Sequence, residues 1–376
     1  MKYQSTNPQF STMTLSQHTL DLAIQIQQIA SPTFAEGPRG EFVRDLFIQE
    51  KLKDVSMDSV GNVYARLPGK QKKAKALIVS AHLDTVFPAS TNLQIKREAG
   101  KVFGPGIGDN SVAVASLFGI LWTLRERGIE LKQDVWFVAN VGEEGLGDLR
   151  GMREVVDRFG SDVLGYLVLE GLALGHIYHR AIGVKRYRIA AKTRGGHSWS
   201  DYGQPSAVHE LAALVTQLTS IRLPREPRTT MNVGVIHGGT GVNVLAAEAR
   251  CELDLRSEEP ATLTKLIHQV EELLIKAGRE GVKIQAEVIG ERPAGNIPDD
   301  HEFVKLAMNC VQQQGIEPVL TAGSTDANIP LSQNIPAVVM GITIGSGAHT
   351  LEEYIETGPM EKGLESIVSF IAHDFH

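Results

Sequence analysis

The feature that most restricts the fold of this chain is a set of short apolar runs that lead to residues able to bind metals. The runs are VSAHLD, WFVANVGEE, YLVLE and VVMGITIGSGAH, and they lead to His82, Glu143 and Glu144, Glu170, and His349. Short runs rich in Val, Ile and Leu with turn residues after them predict buried β-strands. Ligands of an open α/β sheet bind beyond the carboxyl ends of its strands. We therefore expect these side chains to meet at one edge of one sheet.

Length and charge limit the class of protein. A chain of 376 residues predicts about two domains. The formal net charge of −7 leaves no basic footprint, so nucleic acid is not an expected partner.

Membrane insertion and a disulfide framework are not expected either. The longest apolar stretch, residues 112–124, is too short to cross a bilayer and predicts a buried helix. The first ten residues, MKYQSTNPQF, lack the apolar core of a secretion signal, which favours a cytoplasmic location. Cys251 and Cys310 are far apart and not in metal-type spacing, so nitrogen and oxygen must hold any metal.

Two patterns divide the chain. From about Leu15 to Gly183, and again after Pro293, strand-like and helix-like runs alternate, which predicts a largely parallel sheet covered by helices. The expected strands here are residues 76–80, 135–141, 164–169 and 337–342, and the expected helices are residues 111–127, 301–314 and 360–371.

The segment between these parts has a different order. Strands at residues 187–193, 231–236, 248–255 and 282–290 and helices at residues 206–221 and 260–277 are expected there. This β-α-β-β-α-β order predicts a ferredoxin-like sandwich. The fold class is thus α/β, with a catalytic domain of residues 1–183 and 293–376 and an inserted α+β domain of residues 184–292.

The first candidate residues lie at strand ends. His82 and Asp84 are two apart on a strand and share a face, so Asp84 could orient a metal-binding His82 ring. The alternative is a strand-end histidine with an acid nearby. Glu143 and Glu144 repel each other unless a cation lies beside them, which allows one to bind metal while the other acts as a base. A solvated acidic turn is the alternative.

Asp109 lies in GPGIGDNSVAVAS, a glycine-rich loop that runs into a helix. The loop fits neither the Walker pattern nor the dinucleotide pattern GxGxxG, and an Asp helix cap is the alternative role. Glu170 and His349 are individually weak signals. Together, two histidines and three carboxylates, with Asp109 able to bridge, suit two zinc ions per chain, with Co²⁺ or Mn²⁺ as alternatives.

These residues give the chain a family resemblance. It resembles the di-zinc aminoacylase and carboxypeptidase family of metallopeptidases, which includes glutamate carboxypeptidase, dipeptidases, tripeptidases and deacylases. Between Ala76 and Tyr354, the motifs SAHLDTV, GIGDNSVA, GEEG, LEG, RGGHS, NVGVIHGGTGVNVLAAEA and GAHTLEEY carry the resemblance. It implies a general base, Glu143, and five metal ligands. The implied ligands are His82 and Glu170 for one zinc, Glu144 and His349 for the other, and Asp109 as the bridge.

The resemblance also implies a role for the inserted domain as a lid that forms a homodimer. His197 of RGGHS would then reach the partner subunit's active site and polarise the substrate carbonyl. A tight turn at Gly195 and Gly196 that merely carries a histidine is the alternative.

Substrate-binding residues are expected in the same motifs. Arg256 and Arg292 are both candidates for binding a substrate carboxylate, with surface ion pairing as the alternative. Asn243 matches the family pattern, although Val244 replaces the proline that follows it. GSTDANIP resembles the dipeptidase and tripeptidase branch; a helix start capped by Asp326 is the alternative. The expected set is Arg256, Arg292, Asn243, Asn232, Ser324 and Gly347.

The function expected from these residues is hydrolysis of amide bonds in small peptides by a zinc-dependent exopeptidase. An N-acyl amino acid deacylase of the same family is the first alternative. A non-catalytic ligand-binding protein is an alternative of another class, which Glu143 disfavours. A nucleotide-binding oxidoreductase, suggested only by GPGIGDN, is the weakest alternative.

Overall fold

The computed structural model describes residues 14–375, so the N-terminal ten residues used in the location argument lie outside the described part. The α-helices in this part are α1 (Leu15–Gln27), α2 (Gly37–Gln49), α3 (Val112–Glu126), α4 (Arg150–Phe159), α5 (Ala207–Thr219), α6 (Pro260–Ala277), α7 (Glu302–Gln313), α8 (Asn328–Ser332) and α9 (Met360–Ile371).

The strands are numbered in chain order across four sheets. They are β1 (Lys53–Met57), β2 (Val63–Leu67), β3 (Ala76–His82), β4 (Lys96–Glu98), β5 (Lys101–Phe103), β6 (Val135–Asn140), β7 (Val163–Glu170), β8 (His176–Ala181), β9 (Gly183–Lys192), β10 (Gly196–His197), β11 (Thr229–Gly238), β12 (Val244–Leu245), β13 (Glu248–Ser257), β14 (Lys283–Arg292), β15 (Gly295–Asn296), β16 (Val319–Gly323), β17 (Ala337–Gly341), β18 (Gly345–Ser346) and β19 (Tyr354–Glu356).

The large sheet has nine strands in the order β1-β2-β6-β3-β7-β17-β8-β15, with β16 also paired to β8. Its centre, β6-β3-β7-β17, is parallel, as expected. Its flanks are not, because β2 pairs antiparallel to β6 and β8 pairs antiparallel to β17. The sheet is therefore mixed, since β8 follows β7 after a short connection that returns the chain in the opposite direction.

Burial explains the centre of the large sheet. All but one residue of β3 is buried, and β17 is buried throughout, as expected for strands covered on both faces. Helix α3 packs against β3 and α1, and most of its residues are buried. The segment Ile107–Glu126 is long and apolar enough to cross a membrane, but 89% of its apolar window is buried within the protein. This burial is that of a core helix.

The small sheet consists of β11-β13-β9-β14, all antiparallel. Helices α5 and α6 pack on one face, against alternate residues such as Ile189 and Leu253. The other face carries charged side chains, among them Arg188, which pairs with Glu252 and Glu287. Apart from the two-residue strands β10 and β12, which form a separate pair, the chain order through this segment is β-α-β-β-α-β, the order that the sequence predicts.

The large sheet sets the position of the candidate site. β3 ends at His82, β6 ends shortly before Glu143, and β7 ends at Glu170. These three strands are parallel neighbours, so their carboxyl ends lie at one edge. His349 reaches the same edge from the loop between β18 and β19.

Candidate active site

His82 occupies the centre of the site at the carboxyl end of β3. Its Nε2 lies 3.2 Å from Asp109 Oδ1 and 3.8 Å from Glu170 Oε2. Its Nδ1 lies 3.1 Å from the backbone oxygen of Asp84, which fixes the ring orientation from behind. The imidazole is buried, which alone would lower its pKa, but the contacts with Asp109 and Asp84 raise the pKa well above its usual value.

Asp84 does more than face the His82 ring. Its carboxylate lies 3.5 Å from His82 Nδ1, and it accepts the backbone N–H groups of Glu143 and Glu144 at 3.0 and 2.9 Å. Thr33 donates its hydroxyl to the same carboxylate at 2.9 Å. Burial opposes ionisation, but the contact with His82 and the two N–H groups lower the pKa of Asp84. Asp84 thus positions the glutamate pair as well as the histidine.

Asp109 lies between the two histidines. One carboxylate oxygen faces His82, and the other lies 3.0 Å from His349 Nε2. The next residue fixes the loop, because the Asn110 amide donates to Leu169 O at 3.0 Å and accepts the Gly171 N–H at 2.9 Å. These bonds bracket Glu170, so the loop that carries Asp109 is attached to the end of β7.

His349 and Glu144 complete the second half of the site. His349 Nε2 lies 3.1 Å from Glu144 Oε1. The contacts with Asp109 and Glu144 raise the pKa of His349 to about 10. The backbone at His349 is left-handed, with φ of 65°, and its side chain is half exposed at the rim of the cavity.

Within residues 14–375, three groups of candidate metal ligands result, each with its ligand atoms within 4.8 Å of one another. They are His82, Asp109 and Glu170; Asp109, Glu144 and His349; and His82, Glu143 and Glu144. The first two share Asp109 and contain all five ligands that the sequence suggests.

Glu143 is held differently from Glu144. Arg292 Nη1 lies 2.9 Å from Glu143 Oε1, and Arg292 Nη2 donates to the Glu143 backbone oxygen. Both side chains are buried. Burial raises the pKa of Glu143 to about 8, although the positive charge of Arg292 opposes the rise. This carboxyl group can therefore hold a proton near neutral pH in the metal-free protein.

These residues line a cavity of about 480 Å³ between the large sheet and the small sheet. His82, Glu143, Glu144 and Glu170 come from strand ends of the large sheet, and Asp109 and His349 come from the loops after β5 and β18. Arg186, Arg256 and Arg292 come from β9, β13 and β14. Ser324 also lines the cavity, and its backbone oxygen accepts from Arg292 at 3.1 Å. Gly347, with φ of 77°, precedes the lining residues Ala348 and His349.

Asp84 and Gly347 adjoin the cavity without lining it, and three further residues of the expected site lie away from it. His197, Asn232 and Asn243 are exposed and belong to the small-sheet segment. His197 Nδ1 accepts the Trp199 N–H at 3.2 Å, and the His197 N–H donates to Asp201. Within its own chain, His197 therefore bonds to residues of the small-sheet segment and does not line the cavity.

Some residues at the site were not anticipated. Arg186 lines the cavity and donates to Gly145 O at 3.0 Å. Its position on the face of β9 opposite the buried Tyr187 could have indicated it. Asp326 is not a helix cap, because α8 begins after Ala327. It is fully buried, accepts from the Asn140 amide at 2.7 Å, and has a pKa that burial raises to about 6.

Histidines and carboxylates gathered beyond the strand ends of an α/β sheet are a donor set of the kind that metal-dependent enzymes use. The family profile described as peptidase family M20/M25/M40 matches residues 78–373. The chain belongs to this family and is a hydrolase. The resemblance read from the sequence motifs is thereby confirmed.

Three relatives illustrate the range of this family. A tripeptidase from Staphylococcus aureus superposes with a TM-score of 0.82 over 96% of this chain and 98% of its own, at 22% identity. A dinuclear metal-binding peptidase of the M20 family from Bacillus subtilis superposes with a TM-score of 0.69 over 95% and 98%, at 16% identity. An acetylornithine deacetylase from Erwinia tasmaniensis is 24% identical over 90% of both chains. The relatives of this chain thus include both a tripeptidase and a deacetylase.

Proposed function

We propose that the protein is an exopeptidase that hydrolyses di- or tripeptides with two zinc ions and a glutamate base. The observation that carries the proposal is the pair of ligand groups that share Asp109, with Glu143 beside them in one cavity. A cavity of about 480 Å³ matches a small ligand rather than a long peptide.

The donor set fits a pair of divalent cations. Burial raises the pKa of Glu144 and of Glu170, which disfavours the ionised form of each carboxylate. A cation between them would favour that form. Imidazole nitrogen combined with carboxylate oxygen favours Zn²⁺, with Co²⁺ or Mn²⁺ as alternatives.

The shared-aspartate arrangement assigns the ligands. His82, Asp109 and Glu170 would hold one ion, and Asp109, Glu144 and His349 the other. The third group requires Glu143, whose carboxylate is paired with Arg292 and so is less available as a ligand. When bound, such ions polarise a substrate carbonyl and lower the pKa of water toward about 7.

Glu143 is the group placed to move the proton. It would accept the proton of the attacking water and deliver it to the leaving amine, as general acid–base catalysis requires. Burial raises the pKa of Glu143 in the metal-free protein, and cations bound beside it would lower that pKa, which favours the ionised form that a base needs. Arg292 would keep this carboxylate oriented through its two guanidinium bonds.

The arginines on the small sheet suggest what the far end of the substrate carries. Arg256 and Arg186 line the cavity, and both are paired with Asp254 at 2.7 and 2.9 Å. A guanidinium fork can also bind a carboxylate in bidentate fashion. We therefore assign the free carboxylate of a small peptide to this side of the cavity.

Residues 184–292 are proposed as a separate domain that acts as a lid and forms a homodimer. The supporting observation is that His197 is exposed and lies away from the cavity of its own chain. In the proposed dimer, it would polarise the substrate carbonyl in the partner subunit's site.

Mixed dimers test this arrangement. His197→Ala and Glu143→Gln chains should each be inactive, and mixing them under exchange conditions should restore partial activity. The restoration arises because one site would combine the intact Glu143 of one chain with the intact His197 of the other. If the mixed chains exchange but remain inactive, His197 does not act across subunits.

A deacylase of N-acyl amino acids is the second candidate. The 24% identity to an acetylornithine deacetylase over 90% of both chains favours it. An N-acyl amino acid also presents an amide carbonyl and a free carboxylate, so the same ligands and arginines could bind it.

One experiment separates these candidates. Zinc-loaded protein is incubated with di- and tripeptides and with N-acyl amino acids, with and without a chelator, and products are identified by mass spectrometry. Chelator-sensitive cleavage of peptides with a free amine supports the peptidase. Cleavage restricted to acylated substrates supports the deacylase, and no cleavage with two zinc ions bound contradicts both.

A further inference from the structure

A buried glutamate outside the cavity holds the loop that carries Asp109. Glu353 is fully buried and lies in the loop between β18 and β19, shortly after His349. Its Oε2 accepts the Gly106 N–H at 2.7 Å, and its Oε1 accepts the N–H groups of Gly108 and Asp109 at 2.7 and 2.8 Å. Both carboxylate oxygens are therefore bonded to one distant backbone segment.

The backbone of the two loops is joined as well. The Gly104 N–H donates to Glu353 O at 2.9 Å, and β19 pairs antiparallel with β5 just beyond this bond. The loop at residues 104–109 thus lies against the His349 loop through both main-chain and side-chain bonds.

The backbone conformation of the glycine-rich loop allows its N–H groups to point at the Glu353 carboxylate. Gly106 has φ of 74°, and a Cβ atom there would lie 2.8 Å from the Thr85 side chain. A Cβ atom at Gly108 would lie 2.6 Å from Leu172. Glycine allows the close turn in which successive N–H groups point to one acceptor.

We infer that Glu353 is a positioning residue that holds Asp109 against His349, so that two metal ions can share the Asp109 carboxylate. The inference rests on the proposed function for the identity of the ligands. Glu353 does not line the cavity, so it acts on the site only through the backbone of the Asp109 loop.

Asp109 and His349 lie on loops that are far apart in the chain, so the short contact between their side chains depends on how the two loops are held together. Asp109 Oδ2 and His349 Nε2 lie 3.0 Å apart, although their loops are separated by more than two hundred residues of chain. A carboxylate that accepts several N–H groups forms strong, directional bonds. Without that acceptor, buried N–H groups lose their partner, and the loop must move to find another.

The test compares Glu353→Gln with Glu352→Gln. The glutamine side chain in Glu353→Gln has the same shape as glutamate, but its NH₂ group cannot accept a hydrogen bond. At least one of the three bonds from the backbone N–H groups must therefore be lost. Glu352 is exposed and adjacent in the chain, which makes its substitution a matched control. Two measurements are made: amide hydrogen exchange of residues 104–111 in the metal-free protein, and zinc affinity by calorimetric titration.

We expect Glu353→Gln to speed the amide exchange of residues 104–111 and to weaken zinc binding by about 10- to 100-fold. Losses of this size are usual when a residue that orients a metal ligand is substituted. Glu352→Gln should match the wild type in both. Unchanged exchange in Glu353→Gln overturns the inference, and so does wild-type zinc affinity with only a lowered melting temperature.

Two cases need a further comparison: that Glu353→Gln does not fold, and that the wild-type protein binds no zinc. If Glu353→Gln does not fold, Glu353→Asp retains the charge but shortens the side chain, and the same two differences from the wild type are expected. If the wild-type protein binds no zinc, the proposed function fails, and the exchange of residues 104–111 alone decides whether Glu353 holds the loop.

Discussion

The large sheet and the small sheet face the same cavity but contribute opposite charge to it. The centre of the large sheet is buried on both faces, and His82 and three glutamates lie at or just beyond the ends of its strands. The small sheet is covered by helices on one face only, and its other face carries ion-paired charged residues. Its contribution to the cavity is three arginines.

This difference separates two tasks. A ligand set for metals needs fixed geometry, and a sheet core with close packing on both faces supplies it. In the proposed function, the charged end of the substrate would need cations at a distance from the metal ligands, and the second, less buried layer would supply them. Arg292 is where the two meet, because it ends β14 of the small sheet and bonds to Glu143 of the large-sheet side.

The largest effect is expected at Glu143. Glu143→Gln should lower turnover by about 10²- to 10⁴-fold, the usual loss on removing a general base, and leave metal content unchanged. The glutamine oxygen can still accept from Arg292, which avoids leaving a buried guanidinium unpaired. Steady-state kinetics and metal analysis check this result. Glu287→Gln, on the exposed face of the small sheet, is the control, and turnover near the wild-type rate in Glu143→Gln would refute the role.

The two sheets should also differ in their contribution to stability. Phe137 of β6 is fully buried, so Phe137→Ala should lower the free energy of unfolding by about 3–5 kcal/mol through lost burial and a cavity. Ile236 of β11 is 56% exposed, and Ile236→Ala should change it by no more than about 0.5 kcal/mol. Denaturant unfolding measures both. Equal losses in the free energy of unfolding for the two variants would show that another surface covers β11 in solution.

Arg256 tests the small sheet's part in substrate binding. Removing a hydrogen bond to a charged group costs about 1.5–3 kcal/mol, so Arg256→Ala should raise KM by about 10- to 100-fold with a smaller change in kcat. Arg188→Ala is the matched control, because Arg188 lies on the same sheet, pairs with Glu252, and does not line the cavity. A KM unchanged in Arg256→Ala would remove it from the substrate site.

The smallest effect concerns the two cysteines, one in each region. Cys251 lies in the core of the small sheet and Cys310 in that of the large sheet, and burial raises the pKa of each thiol to about 11. Both should react slowly with a thiol reagent at pH 8, because little thiolate is present.

Under mild denaturant, Cys251 should react before Cys310, since the smaller core opens at lower free energy. Mass spectrometry of labelled peptides gives the order. Simultaneous labelling would mean that the two regions unfold as one cooperative unit.

Much of the fold could be predicted from local patterns. The buried strands at β3, β6, β7 and β17 and the helices α3 and α6 occur where their periodicity indicates, with ends that differ by a few residues. The parallel centre of the large sheet was also predicted. The antiparallel flanks were not, because strand direction depends on which distant strand β8 pairs with, and no local pattern encodes that choice.

The same limit applies to the site. Strand ends placed His82 and Glu170 correctly at the sheet edge, whereas Arg186, Asp326 and Glu353 were not anticipated. Each of these three acts through contacts with residues remote in sequence, such as Glu353 with Gly106. The position of one charged residue in a sequence does not indicate which residues its side chain contacts. Most charged side chains are exposed at the surface.

The position of β17 has a consequence for synthesis of the chain. β17 lies between β7 and β8, although it follows them by more than 150 residues. The small sheet comes from one continuous stretch and can form as soon as that stretch leaves the ribosome. The large sheet cannot be completed until β17 leaves the ribosome, because β17 pairs with both β7 and β8 and lies between them. The edge of the large sheet that carries the candidate site is therefore completed only late in synthesis of the chain.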